Sequence, residues 1–172
     1  AHAAGCAFAK QCVMRAVERP YDLVVTTNSG FPLDMNLYQA VKGMSAAARI
    51  VKQGGAILTA AECSDGVPTH GNFRELLGRG KSPQEWLDII YQAPQPIPDQ
   101  WQVQILAKIL QRADGYLYSS LPEAEVRLGR LQPVKDIAAC VRDLRAAHES
   151  RTSEPHRIAV LPEGPQTVPY LQ

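Results

Sequence analysis

Long apolar runs are missing. No stretch approaches the ~20 consecutive apolar residues that cross a bilayer, and no secretory signal is visible. Charge of one sign is missing too. Eighteen Lys and Arg against 17 Asp and Glu leave a formal net charge of +1. Neither nucleic acid nor a membrane is expected as a partner on that balance. Cysteine is sparse: Cys6, Cys12, Cys63 and Cys140 are the four. None stands in a C-x-x-C pair, and no Cys/His cluster has zinc-site spacing. Free thiols in a reducing compartment follow, with the cytoplasm as the default location. The histidines, His2, His70, His148 and His156, form no pair at metal-ligand spacing. No G-x-G-x-x-G joins a strand to a helix, and no G-x-x-x-x-G-K-[ST] occurs. A nucleotide-binding dehydrogenase domain is disfavoured on that ground.

What is present suits one domain with a sizeable core. The chain has 172 residues, 45% of them apolar and 20% charged, as in ordinary globular proteins. It opens at Ala1, without an initiator Met and within helix-like sequence. A fragment of a longer protein is the expectation.

Residues 3 to 18 read as an Ala-rich helix stopped by Pro20. DLVVTT, residues 22 to 27, reads as a strand covered on both faces. The loop NSGFPLD follows. Residues 36 to 52 carry a helical stripe of Leu37, Val41, Met44, Ala48 and Val51, with Gly54-Gly55 as its stop. AILTAAEC is a second strand, and SDGVPTHG is its polar loop. Two short helices, over 71–79 and 83–92, precede the proline connector QAPQPIPD. Residues 100 to 113 form a further helix. GYLYSS is a third strand, and PEAEVRLG a short helix. PVKDIAACVRDLRAAHES is another, with Pro133 near its first turn. HRIAVLPEG is a fourth strand, before a Pro-rich tail. The alternation predicts a single α/β domain over residues 1–172. Its mainly parallel sheet of about four strands is flanked by helices on both faces, in three layers.

In open parallel sheets, ligands bind beyond the carboxyl ends of the strands. TTNSGFPLD and ECSDGVPTHG both follow strands, so both belong at that edge. Asn36 or Asp34 can cap the helix that follows the first loop. On that helix Gln39 and Lys42 are surface neighbours. At ~100° per residue they fall about 200° and about 140° from Leu37, away from the chain's own core. Tyr38 lies beside Lys42. A Lys ammonium and a Gln amide together could hold a carboxylate or a hydroxyl. From spacing alone, an ordinary solvated face is the plainer reading. Trp101, in the first turn of its helix, reads as an anchoring aromatic, and Trp86 as core. His70 faces the same edge. Cys63 and Asp65 stand near that loop, but spacing gives Cys63 no partner base.

The residues also carry a resemblance. TTNSGFPLDMNLYQAVKGM, followed by VKQGGAILTAAECSDG, resembles the C-terminal domain of the nickel-dependent lactate racemase family. There a loop of the type T-N-x-G-[YF]-P-L-D-x-N leads into [LI]-Y-Q-x-V-K-G-M. The likeness is continuous from about Asp22 to Gly66 and looser through DQWQVQILAKIL to the C-terminus.

That resemblance implies racemisation or epimerisation of 2-hydroxy acids such as lactate. It implies a nickel-pincer nucleotide that takes a hydride from the substrate's C2 and returns it. It places the acid–base histidines, the cofactor lysine and the nickel-binding histidine in an N-terminal domain, with the active site in the cleft between the domains. For this chain it implies substrate contact through Gln39 and Lys42, with Tyr38 on the adjacent aromatic position and Trp101 as a pocket wall. No N-terminal domain is present here, so the chain is expected to be half of an active site and inactive alone. The alternative is a non-catalytic domain of the same fold that only binds a ligand or a partner.

Overall fold

The computed structural model describes residues 1–172. Helix α1 (His2–Val13) leads into strand β1 (Met14–Val17) and then β2 (Tyr21–Thr27). Helix α2 (Leu37–Ala47) joins β2 to β3 (Val51–Ala60). Three helices follow: α3 (Phe73–Arg79), α4 (Pro83–Gln92) and α5 (Gln100–Arg112). Then come β4 (Ala113–Tyr118), α6 (Glu123–Leu128), β5 (Gln132–Val134), α7 (Ile137–Glu149) and β6 (Ile158–Leu161). A 3-10 turn (Gly164–Gln166) and β7 (Val168–Leu171) end the chain.

The main sheet has five strands in the order β5-β4-β3-β2-β6, and every pair in it is parallel. Strands alternate their side chains between two faces. Val24, Ile57 and Leu117 point into a large core shared with α2 to α6. Leu23, Ala56 and Leu58 point the other way, onto Ile137, Cys140, Val141 and Leu144 of α7. Helices therefore lie on both faces, five elements on one and α7 alone on the other. Trp86 is 1% exposed in the larger core, and its indole N–H donates to the Leu77 carbonyl at 3.0 Å. Burial with a satisfied N–H is the core role the sequence suggests.

Several boundaries differ from the sequence expectations. The first helix ends at Val13, not at Pro20, because Met14–Val17 leaves it to pair with β7. The α2 stripe holds through Leu37, Val41 and Met44, and the helix ends at Ala47. Val51 is buried in phase with it, but as the first residue of β3. Gly54-Gly55 lies inside β3 and stops no helix. Between Tyr21 and Leu23 the register on β3 jumps from Val51 to Ala56. The surplus residues form a bulge, and Gly54 takes it up at φ +73°, where a side chain is disfavoured. Pro133 sits in β5; Asp136 caps α7, accepting from the Ala139 amide at 2.9 Å. The Pro-rich tail is a strand. With β5, and the separate β1–β7 pair, the chain has seven strands where about four are expected.

Candidate functional site

The carboxyl ends of β2, β3, β4 and β6 bring their loops together. Asp34, after β2, accepts the Glu62 amide at 3.0 Å through its side chain and the Cys63 amide at 2.9 Å through its carbonyl. The Met35 carbonyl takes the Asp65 amide at 2.7 Å, and the Gly66 carbonyl takes the Leu37 amide at 3.1 Å. The Ser120 amide, after β4, donates to the Glu62 carbonyl at 3.2 Å. Thr27 Oγ1 donates to the Pro162 carbonyl after β6 at 2.5 Å. The two loops that the sequence assigns to one edge are thus stitched to each other.

This framework sets α2. Asn36 caps it: its Oδ1 accepts the Gln39 amide at 3.1 Å, and its Nδ2 donates to Asp65 at 3.3 Å. Asn28 is 1% exposed and bridges the loop to the helix. Its Nδ2 donates to the Leu33 carbonyl, and its Oδ1 accepts the Gly43 amide at 3.0 Å. The helix runs so close to β2 that a Cβ on Gly43 would meet the Thr27 carbonyl oxygen at 2.6 Å. Gln102 of α5 clamps the same helix from the side, donating to the Tyr38 carbonyl at 2.6 Å.

The open side of α2 carries Tyr38, Gln39 and Lys42, and Arg49 follows just past its end. Tyr38 and Gln39 line a cavity of about 250 Å³ with His70, Phe73 and Asp99. The Tyr38 ring meets Phe73 edge to face, with centroids 5.2 Å apart. Asp99, which opens α5, accepts the Asn72 amide at 3.2 Å and so holds the His70 loop beside this cavity. Lys42 is exposed and faces a second hollow of about 230 Å³, shared with Ser45, Arg49, Gly164 and Thr167. The two hollows flank one helix face. Neither the Gln39 amide group nor the Lys42 ammonium is engaged by another side chain of this protein. Trp101 stands in the first turn of α5 at 52% exposure and lines neither hollow. The structure therefore joins Tyr38, Gln39 and His70, sets Lys42 on the same helix as Tyr38 and Gln39, and does not bring Trp101 into either hollow.

Cys63 lies at the same edge but points inward. It is 1% exposed, and burial pushes its thiol up to about 12, with Asp34 and Glu62 adding to the effect. A thiol held neutral is no nucleophile. Asn28, Asp99 and Arg49 were not singled out by sequence. Their roles depend on contacts across the fold, and only the position of Asn28 in the first loop gave any signal.

A family described as the lactate racemase C-terminal domain matches residues 16–168. The chain belongs to this family. It is 35% identical over 167 residues to the lactate racemase of Thermoanaerobacterium thermosaccharolyticum, and 34% identical over 167 residues to that of Lactiplantibacillus plantarum. Each match covers 95% of this chain and 38% of the relative. The chain thus spans less than half the length of the curated relatives it matches. The lactate racemase apoprotein structure from T. thermosaccharolyticum superposes with a TM-score of 0.85 at 33% identity, over 98% of this chain and 40% of that one. A Thermotoga maritima crystal structure superposes at 0.56 with 12% identity, a likeness of fold alone. The chain shares the α/β architecture of the T. thermosaccharolyticum structure, with mostly parallel sheets, and its α2 face presents unengaged donors at the carboxyl edge of the main sheet.

Proposed function

We propose that this chain is the substrate-contacting part of a larger 2-hydroxy-acid racemase or epimerase. The observation that carries the reading is the open face of α2. In a lactate racemase family chain, a lysine without a counter-ion stands one turn from a free glutamine amide, beyond the carboxyl ends of a parallel sheet. Lys42 takes the substrate carboxylate. Gln39, one turn away, donates to the carboxylate or to the 2-hydroxyl. Tyr38 is the aromatic surface beside Gln39, and Phe73 lines the same hollow. Trp101, half exposed in the first turn of α5, is available to become a pocket wall when a second body covers it.

Closure by that second body strengthens the clamp. An ammonium–carboxylate hydrogen bond gains when water is excluded around it. The family resemblance implies a nickel-pincer nucleotide held outside this chain, which would supply hydride chemistry at the substrate's C2. No three His, Cys, Asp or Glu side chains of this chain converge as a metal-binding group. The chain therefore does not fit as the cradle of the nickel. The part assigned to it is confined to holding and orienting the acid.

The test is a panel of 2-hydroxy acids given to the full-length, cofactor-loaded parent, wild type against Lys42→Ala, with both enantiomers read by chiral chromatography. Interconversion of one acid by the wild type, lost in the variant, names the substrate and supports the clamp. A wild type that converts no acid while still binding one favours the binding-only alternative.

A further inference from the structure

The β1–β7 pair stands apart from the main sheet as a two-stranded parallel ribbon. Such ribbons are marginal on their own. Its two edges are not alike. On β7, Pro169 has no amide to offer, and its carbonyl accepts from Arg49 Nε at 3.0 Å. That edge is blunted against further pairing. On β1, Arg15 and Ala16 are exposed, and no third strand pairs with the ribbon. The helix leading into β1 is equally bare. None of the twelve residues of α1 is buried, and Phe8 is 69% exposed. A helix of this length does not persist in water on propensity alone. Helix and strand together lack the cover that would hold them.

We infer that the free edge of β1 takes a strand from the remainder of the parent chain, with α1 packed beside it. The ribbon then becomes part of a sheet shared by two bodies. This rests on the larger parent assumed under Proposed function. Two observations select that occupant over a second copy of this chain. More than half of each matched lactate racemase lies outside the matched region. The ribbon also adjoins the functional face, because Val168 lines the same hollow as Lys42. A body seated on β1 is one strand, β7, away from the face that must be closed over substrate. Strand addition thus ties the second body to the element that borders the α2 clamp.

Residue-resolved amide exchange tests this, on the 172-residue chain and on the full-length parent. Successive amides of a strand point to opposite edges, so the amides of Met14–Val17 sort into those facing β7 and those facing outward. The outward amides should exchange freely in the chain and about tenfold or more slower in the parent. Ile57 and Leu58, inside the main sheet, serve as the folded control. Outward amides that exchange equally fast in both proteins overturn the inference. So does protection that appears in the chain alone as its concentration rises, since the occupant is then a second copy. An open edge in an active parent sinks only this inference. A closed edge in a parent that racemises nothing sinks only the substrate reading.

Discussion

Replacing Gly43 with alanine separates two effects that usually point the same way in a helix. Alanine is the better helix former by about 1 kcal/mol. At Gly43, however, the new Cβ would lie 2.6 Å from the Thr27 carbonyl oxygen, 3.2 Å from Asn28 Oδ1 and 3.3 Å from the Thr27 carbonyl carbon. Two of those atoms are backbone at the end of a central strand and cannot swing aside. Relief requires α2 to move off β2, which also strains the Asn28–Gly43 hydrogen bond. Overpacking of this kind costs about 1–3 kcal/mol, so the clash outweighs the propensity. Gly78, on the exposed side of α3, is the control: nothing lies within 4 Å of its Cβ position. There propensity acts alone. For a chain of this size 1 kcal/mol moves Tm by about 2–4 °C. Thermal unfolding of the 172-residue chain should show Gly43→Ala melting below wild type, by up to about 8 °C once the propensity gain is subtracted, and Gly78→Ala about 2–4 °C above it. A Gly43→Ala protein as stable as Gly78→Ala refutes the claim that helix and strand are in forced contact at the site.

Two further outcomes follow from buried titratable groups. His156 has an Nδ1 without a partner and stacks on His148 with ring centroids 4.8 Å apart. Burial, and then the charge of His148, pull its pKa down, against weaker opposition from Asp22 and Glu149. A histidine depressed in the fold binds its proton more readily when unfolded. Its contribution is present above about pH 6.5 and is lost as pH falls below that toward the folded value. The urea midpoint should therefore drop between about pH 7.5 and about pH 5.5, and drop less in His156→Gln; equal slopes would reject this origin. For the thiols, a disulfide reagent at neutral pH should label exposed Cys6 and Cys12 quickly and leave Cys63, raised to about 12 by burial, untouched until urea is added. Labelling of Cys63 at the rate of Cys6 would contradict its placement.

The core of the fold was legible because its signals are local. DLVVTT carries the β-branched run of a strand covered on both faces, and the α2 stripe is set by three residues at helical spacing. The misreadings came from contacts across the chain. Val51 continued the α2 stripe in phase by coincidence, so the helix read as too long. Gly54-Gly55 read as a helix stop because a bulge residue and a stop residue look alike in sequence. The β1–β7 ribbon left no trace: MRAV is short, and VPYL carries a proline, tolerated because β7 is an edge strand with no further partner. At the site, helical angles alone turned Gln39 and Lys42 away from the core. Their division between two hollows was not visible, since it depends on the His70 loop and on the turn at Gly164.

The central claim is that Lys42 holds the substrate acid. The most direct measurement is kcat/KM for racemisation by the full-length, cofactor-loaded parent, comparing Lys42→Ala with Lys108→Ala, an exposed lysine on α5. Truncating one partner of a buried charge pair costs about 2–5 kcal/mol, so Lys42→Ala should lose about 30-fold or more while Lys108→Ala stays near wild type. Equal rates for Lys42→Ala and wild type, or equal losses in the two variants, would contradict the account.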